Sequence, residues 1–311
     1  MGKYKEYYPH GIMFHRFHEN EPINGSVSIK ELETVIEKIG EDRIIKPELW
    51  IERCINNSLL DTDVCLTFDD CLKSQYNLAL PILEKYKIKD FFFLHTITFN
   101  GGYDYNELFF NMINKNYDNF DLFFIEFEKF LQIDESIYSQ NKYKVFKNNL
   151  TNKFKSYKDS EVKYRYLRNV YFTYNKFINK MQKFFSTKKN KNYNQENIWM
   201  TKNDIKHLSD LNHCIGLHTH SHYLNFSELS YDKQRKEYDI NKKHLEDVIG
   251  KNIQASSHPL GSYNNDSISI LKSLDIRCSF RSNNLIPEGH NKINPNQYEL
   301  ARNDISNICC A

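Results

Sequence analysis

Two short segments carry the residues best able to do chemistry. Gly216-Leu217-His218-Thr219-His220-Ser221-His222 supplies two imidazoles four residues apart, at His218 and His222. On a helical turn that spacing puts both rings on one face, close enough to share a metal ion. Upstream, Leu66-Thr67-Phe68-Asp69-Asp70 supplies two adjacent carboxylates at the end of an apolar run. Two His and one carboxylate make a common open metal site with room for a water. The other carboxylate is then free to act as a base on that water. The pattern points to metal-assisted hydrolysis.

These residues resemble a known family. Thr67-Phe68-Asp69-Asp70 is similar to the first motif of the polysaccharide deacetylases, the NodB-homology carbohydrate esterases. His218-Thr219-His220-Ser221-His222 is similar to their second motif. Ser257-His258-Pro259-Leu260-Gly261-Ser262-Tyr263-Asn264 resembles their third. The resemblance spans about residues 11–100 and 198–306. It implies Asp69 as catalytic base and one divalent ion, zinc, on Asp70, His218 and His222. His220 then points elsewhere. It also implies that Pro259, Gly261 and Tyr263 shape a substrate loop whose backbone amides face the substrate. Arg302 is assigned to substrate binding, or to a pair with Asp304 that supports the base. The family's usual Gly after the paired Asp is Cys71 here, which a positive φ would strain. The family's late Leu-x-His motif, source of its general acid, is not evident. His258, His15 and His290 are the candidates for that acid, in that order.

Seven apolar runs read as strands, at about 11–17, 63–69, 90–96, 213–218, 253–258, 277–281 and 299–305. Helical patterns separate many of them. Ser28-Ile29-Lys30-Glu31 is a capping box and Gly40 closes that helix. Thr201 and Asp204 start another, Ser230 precedes a long one ending near Gly250, and Asn265 or Asp266 caps a fourth. Alternating strands and helices imply an α/β fold with a parallel sheet. Pattern alone leaves a barrel and an open doubly wound sheet both standing. The resemblance implies the distorted (β/α)7 barrel of the NodB-homology type. In either architecture ligands meet the carboxyl ends of the strands. His15, Asp69, Asp70, His95, His218, His258 and Arg302 all fall late in, or just after, expected strands.

The chain has 311 residues, enough for a full core, and a net charge of +2. Its seven Cys are odd in number and scattered, which argues against a disulfide framework and for a reducing cytosol. The first residues show no apolar signal segment, and no apolar run reaches the roughly 18 residues of a membrane span. The expected location is cytoplasmic, with peripheral contact to the inner membrane face left open. Residues 101–197 read as a large, mostly helical insertion after strand 3, placed over the active-site face between barrel segments 1–100 and 198–311. From Lys142 to Lys191 there are 15 Lys/Arg against two acids, a net of +13. Aromatics interleave them, and the plain reading is an aromatic core under a solvated lysine face. A surplus this lopsided also suits an anionic partner.

The expectation is therefore a hydrolase removing acetyl, with formyl as the lesser choice, from an acylated and anionic sugar. A nucleotide- or lipid-linked precursor of surface polysaccharide fits best. The rivals are a non-sugar amide hydrolase on the same scaffold and a catalytically dead relative that binds glycan or membrane. Nucleic acid is not an expected partner, and no Gly-rich phosphate loop is present.

Overall fold

The computed structural model describes residues 4–20, 25–153, 157–188, 198–305 and 308. In chain order its strands are β1 (His10–Phe14), β2 (Arg16–His18), β3 (Ser26–Ser28), β4 (Val64–Asp69), β5 (Phe91–Leu94), β6 (Cys214–Leu217), β7 (Ala255–Ser257), β8 (Cys278–Phe280) and β9 (Arg302–Asp304). Among the described residues β2 and β3 pair only with each other. That small ladder was not expected, because neither strand carries an apolar run. The other seven form one parallel sheet in the order β8-β7-β6-β5-β4-β1-β9.

The two edges of this sheet meet. Leu300, just ahead of β9, bridges Phe280 of β8 in parallel. The Ser279 carbonyl accepts from Leu300 N at 3.0 Å, and the Leu300 carbonyl accepts from Arg281 N at 2.8 Å. The result is a nearly closed seven-stranded barrel of the NodB type.

The chain divides into two compact units, residues 1–103 with 196–311 and residues 104–195. In the first, α1 (Ile29–Ile39), α2 (Pro47–Ile55) and α3 (Leu80–Lys85) precede β5. The second holds α4 (Tyr105–Asn116), α5 (Phe120–Leu131), α6 (Asn141–Lys153), α7 (Asp159–Tyr166) and α8 (Tyr174–Ser186). Back in the first lie α9 (Lys202–Asp210), α10 (Tyr231–Ile249) and α11 (Asn265–Ser273). The Ser28–Glu31 capping box forms, and Gly40 ends α1 at φ 90°. Thr201 and Asp204 cap α9 reciprocally, and left-handed Gly250 ends α10. For α11 the cap is Asn264, one residue earlier than expected, whose side chain accepts from Ser267 N.

Side-chain alternation explains the unbroken apolar strands. Phe91 and Phe93 of β5 pack with Cys65, Ala255, Cys278, Phe280 and Leu300, against Trp50, Ile51 and Cys54 of α2. Phe92 faces the other way and stacks on Phe68, which stacks on Phe14. Both faces are covered, as a parallel barrel requires. Gly216 is needed for space: a Cβ there would sit 2.5 Å from Phe93. In the second unit Phe123, Phe127, Tyr164, Phe177, Phe184 and Phe185 form an aromatic core, in line with the plain reading of its aromatics.

Cys54, Cys65, Cys71, Cys214 and Cys278 are free thiols. Cys309 and Cys310 lie outside the described residues, as do Lys189 and Lys191 of the basic stretch. Among the described residues no helix is long and apolar enough to cross a membrane.

Candidate active site

β4 ends at Asp69, and the chain then takes two successive left-handed residues, Asp70 (φ 77°) and Cys71 (φ 59°). On a continuing strand the two carboxylates would point to opposite faces. The left-handed turn lets both address one site. Positive φ at a residue with a Cβ costs about 1–2 kcal/mol, so the turn needs external support. It has it: Leu72 pairs antiparallel with Trp199, and the Cys71 carbonyl accepts from Met200 N at 2.8 Å. Gln75 Nε2 donates to the carbonyls of Asp69 and His15. Cys71 itself is a packed residue; burial pushes its thiol up to about 12.

β6 ends at Leu217, and His218 N donates to Asn241 Oδ1 of α10 at 3.0 Å. The helical turn expected over 218–222 does not form. Thr219 (φ 61°) and His222 (φ 51°) are left-handed instead. The two rings still lie 5.0 Å apart. The four-residue spacing thus delivered the pair by a route other than a helix. His220 turns away, its Nδ1 3.0 Å from Thr96 Oγ1.

The cluster is buried. Asp70 Oδ1 has His218 Nε2 at 3.3 Å and His222 Nε2 at 3.4 Å, yet receives no well-formed hydrogen bond. Ligand atoms of Asp70, His218 and His222 all lie within 4.8 Å of one another, and no other such group occurs among the described residues. An orphaned carboxylate oxygen facing two imidazole nitrogens fits a divalent cation. Burial alone would lift the Asp70 pKa, but His222, His218 and His15 hold it well below the usual carboxylate range.

Ser257, at the end of β7, joins the ligand set to the second carboxylate. His218 Nδ1 lies 2.7 Å from Ser257 Oγ, which donates to Asp69 Oδ1 at 3.3 Å. With its Nδ1–H given to Ser257, His218 presents the Nε2 lone pair to the cluster, the arrangement a metal-binding imidazole needs.

Arg302 of β9 is fully buried and grips Asp69 with both ends of its fork, Nη1–Oδ1 at 2.8 Å and Nη2–Oδ2 at 2.7 Å. Its Nε donates to the Arg281 carbonyl at 2.6 Å, and Nη1 also reaches Thr67 Oγ1 at 3.3 Å. This corrects the assignment of Arg302 to substrate binding, because its donors are engaged within the protein. Burial would raise the Asp69 pKa; Arg302 and His218 outweigh it and hold the carboxyl below its ordinary value.

The acid candidates separate. His15 Nε2 lies 3.9 Å from Asp70 Oδ2, with the side chain 30% exposed. His258 is fully buried, and its Nε2 donates to the Tyr298 carbonyl at 2.9 Å. Strand alternation explains the miss: Ser257 faces the cluster, so the next residue faces away. Burial pushes the His258 imidazole down to about 4. His290 lies 3.6 Å from Glu299, not beside the cluster.

The expected substrate loop is also held elsewhere. Gly261 N donates to the His258 carbonyl and Ser262 N to the Pro259 carbonyl, so these amides close the turn rather than face a substrate. Pro259 is buried, and Gly261, at φ 69°, has no room for a Cβ against Ser282. Tyr263 stacks on His258 and donates to Glu299 at 2.7 Å. Sequence reasoning missed the roles of Gln75 and Asn241, which no motif marks, and of Ser257, which opens the third motif but was given no role. It named His95 only as a strand-end residue; the ring lies 5.8 Å from His222.

The barrel has the NodB-type fold, and this cluster lies at the ends of its strands. Residues 165–279 match the family model described as polysaccharide deacetylase, a span holding His218, His222 and Ser257 but not Asp69 or Asp70. The family that the motifs resembled is thus the one whose model matches: the polysaccharide deacetylases. Nothing matches among curated protein sequences. Among solved structures, IcaB from Ammonifex degensii shares the fold at a TM-score of 0.56 and 13% identity, over 100% of this chain and 98% of that one. The deacetylase PplD from Streptococcus pyogenes, in complex with acetate, gives 0.54 and 17%, over 97% and 96%. The de-N-acetylase from Aggregatibacter actinomycetemcomitans gives 0.52 and 13%, over 95% of each chain.

Proposed function

We propose that this chain hydrolyses the acetamide of an N-acetylated sugar, with Asp70, His218 and His222 holding one divalent cation, zinc. The observation that carries the reading is the buried Asp70–His218–His222 cluster beside a second carboxylate clamped by Arg302. The family match to polysaccharide deacetylases supports carbohydrate de-N-acetylation. When bound, the cation polarises the acyl carbonyl and makes water a better nucleophile near neutral pH. Asp69 takes the proton from the attacking water on its carboxylate. His15, the partly exposed imidazole near the cluster, gives a proton to the departing amine. The complete set of ligands and base favours an enzyme over a dead relative.

For substrate, the proposal is an anionic, nucleotide- or lipid-linked precursor of a surface polysaccharide, supported by the basic 142–191 stretch. The proposed location is the cytoplasm, which suits five free thiols.

The test is acetate release from N-acetylated sugars, free and nucleotide-linked, with metal content measured in parallel. His218→Ala is expected to stay folded, lose the ion and lose turnover. Equal metal in parent and variant removes the assignment.

The acid is tested by pH. With burial pushing its imidazole down to about 4, His258 is neutral from about pH 5 upward, and its one N–H is held by the Tyr298 carbonyl. His258→Gln is therefore expected to leave the alkaline limb of kcat/KM unchanged, while His15→Ala abolishes or displaces it. The opposite pattern restores His258 as the acid.

A further inference from the structure

Among the described residues, the second unit carries a helix face with exposed apolar side chains. α5 reads Phe-Asp-Leu-Phe-Phe-Ile-Glu-Phe-Glu-Lys-Phe-Leu. Phe123, Phe124 and Phe127 are buried, with Phe123 and Phe127 set among rings of α7 and α8. On the other side Leu122 is 47%, Ile125 63% and Phe130 37% exposed. At 100° per residue these three fall within an arc of roughly 140°. Scattered exposed apolar residues are ordinary, but a helix apolar on both faces is normally covered on both.

The charge around this face is one-sided. The three acids of α5 are taken: Glu126 pairs with Lys188, Asp121 with Lys158 and Ser160, and Glu128 bonds Tyr138. Lys129 is exposed on the same side. α8 adjoins, with Phe184 5.4 Å from Phe130. α8 has no acid, and it places Lys176, Lys180 and Lys183 together on one side, flanking its buried Phe177, Met181 and Phe184. None of these three lysines has an ion-pair partner among the described residues. α6 adds Lys142 and Lys144, again with no acid on the helix, and Val145 is 50% exposed.

We propose that the second unit docks on an anionic lipid bilayer through the outer face of α5, with the α8 lysines against the headgroups. A polyanion would use the lysines and leave the apolar residues in water. A bilayer uses both, burying Leu122, Ile125 and Phe130 at the acyl boundary while anionic headgroups meet the cations. Neither element depends on the chemistry of the barrel, so docking and turnover stand or fall separately.

The test is co-sedimentation of the full chain with phosphatidylcholine vesicles, with and without phosphatidylglycerol. Binding is expected only with phosphatidylglycerol and is expected to weaken as salt rises. The triple variant Lys176→Gln, Lys180→Gln, Lys183→Gln should weaken it by roughly a hundredfold, at about fivefold per lysine. Leu122→Glu with Ile125→Glu should weaken it at least tenfold; both positions are exposed, and a thermal melt matching the parent confirms the fold. Three results overturn the proposal: no vesicle binding, equal binding to neutral vesicles, or binding that ignores the α5 variant. If heparin binds as tightly as the anionic vesicles and is equally indifferent to the α5 variant, the surface is a polyanion site.

Discussion

Asp69→Asn is expected to lower turnover on an N-acetylated sugar by about 100- to 10,000-fold, the usual contribution of a general base, with metal content unchanged. Asp70→Asn should do the reverse at the first step, losing the ion and activity together. The two residues are adjacent, so a general disturbance of the turn would affect both variants alike. Only distinct roles separate them. Acetate release and elemental analysis on the same preparations make the comparison. Near-parental turnover in Asp69→Asn would require another base.

The second large effect belongs to Arg302. Removing one partner of a buried ion pair costs about 3–5 kcal/mol, because the other charge is left uncompensated. Arg302→Met should therefore destabilise the fold by that order, read by denaturant unfolding, and should depress turnover through Asp69. Arg302→Lys keeps a cation but cannot grip both carboxylate oxygens. It should lose less stability than Arg302→Met while still losing activity, because Asp69 is no longer fixed in orientation. Asp69→Asn combined with Arg302→Met removes both charges and should cost less than the two single changes together. A parental midpoint for Arg302→Met would mean that the 2.7–2.8 Å pairing contributes little.

The strands and the Asp70–His218–His222 set could be read from the sequence because both are written in residue type. Phe91 to Leu94 and Val64 to Phe68 have no solution as exposed structure, and carboxylates beside His pairs have few uses. Backbone handedness is not written that way. Asp70, Cys71, Thr219 and His222 all take positive φ without being glycine. Only the tertiary bonds around them, such as Met200 N to the Cys71 carbonyl, impose it. The loop after His218 was therefore expected as a helical turn and is not one. His258 was placed at the correct strand end but on the wrong face, since one residue of register reverses a side chain. Arg302 was recognised as functional but not by partner. It and Asp69 are separated by 233 positions, and only the pairing of β9 and β4 on either side of β1 brings them together.

The docking of β9 on β1 sets an order on how the site comes into being. Chain synthesis delivers Asp69 and Asp70 first and both imidazoles by residue 222. The counter-charge for Asp69 arrives only with β9, about eighty residues later. A partly assembled barrel holds its ligand set but faces a carboxylate with no guanidinium, and burial then pushes the Asp69 carboxyl toward its protonated form with only His218 and His15 to oppose it. A protonated Asp69 is no base. Assembly of the final strand is thus what arms the site, and a barrel whose β9 frays open is disarmed before it loses the residues that bind its ion.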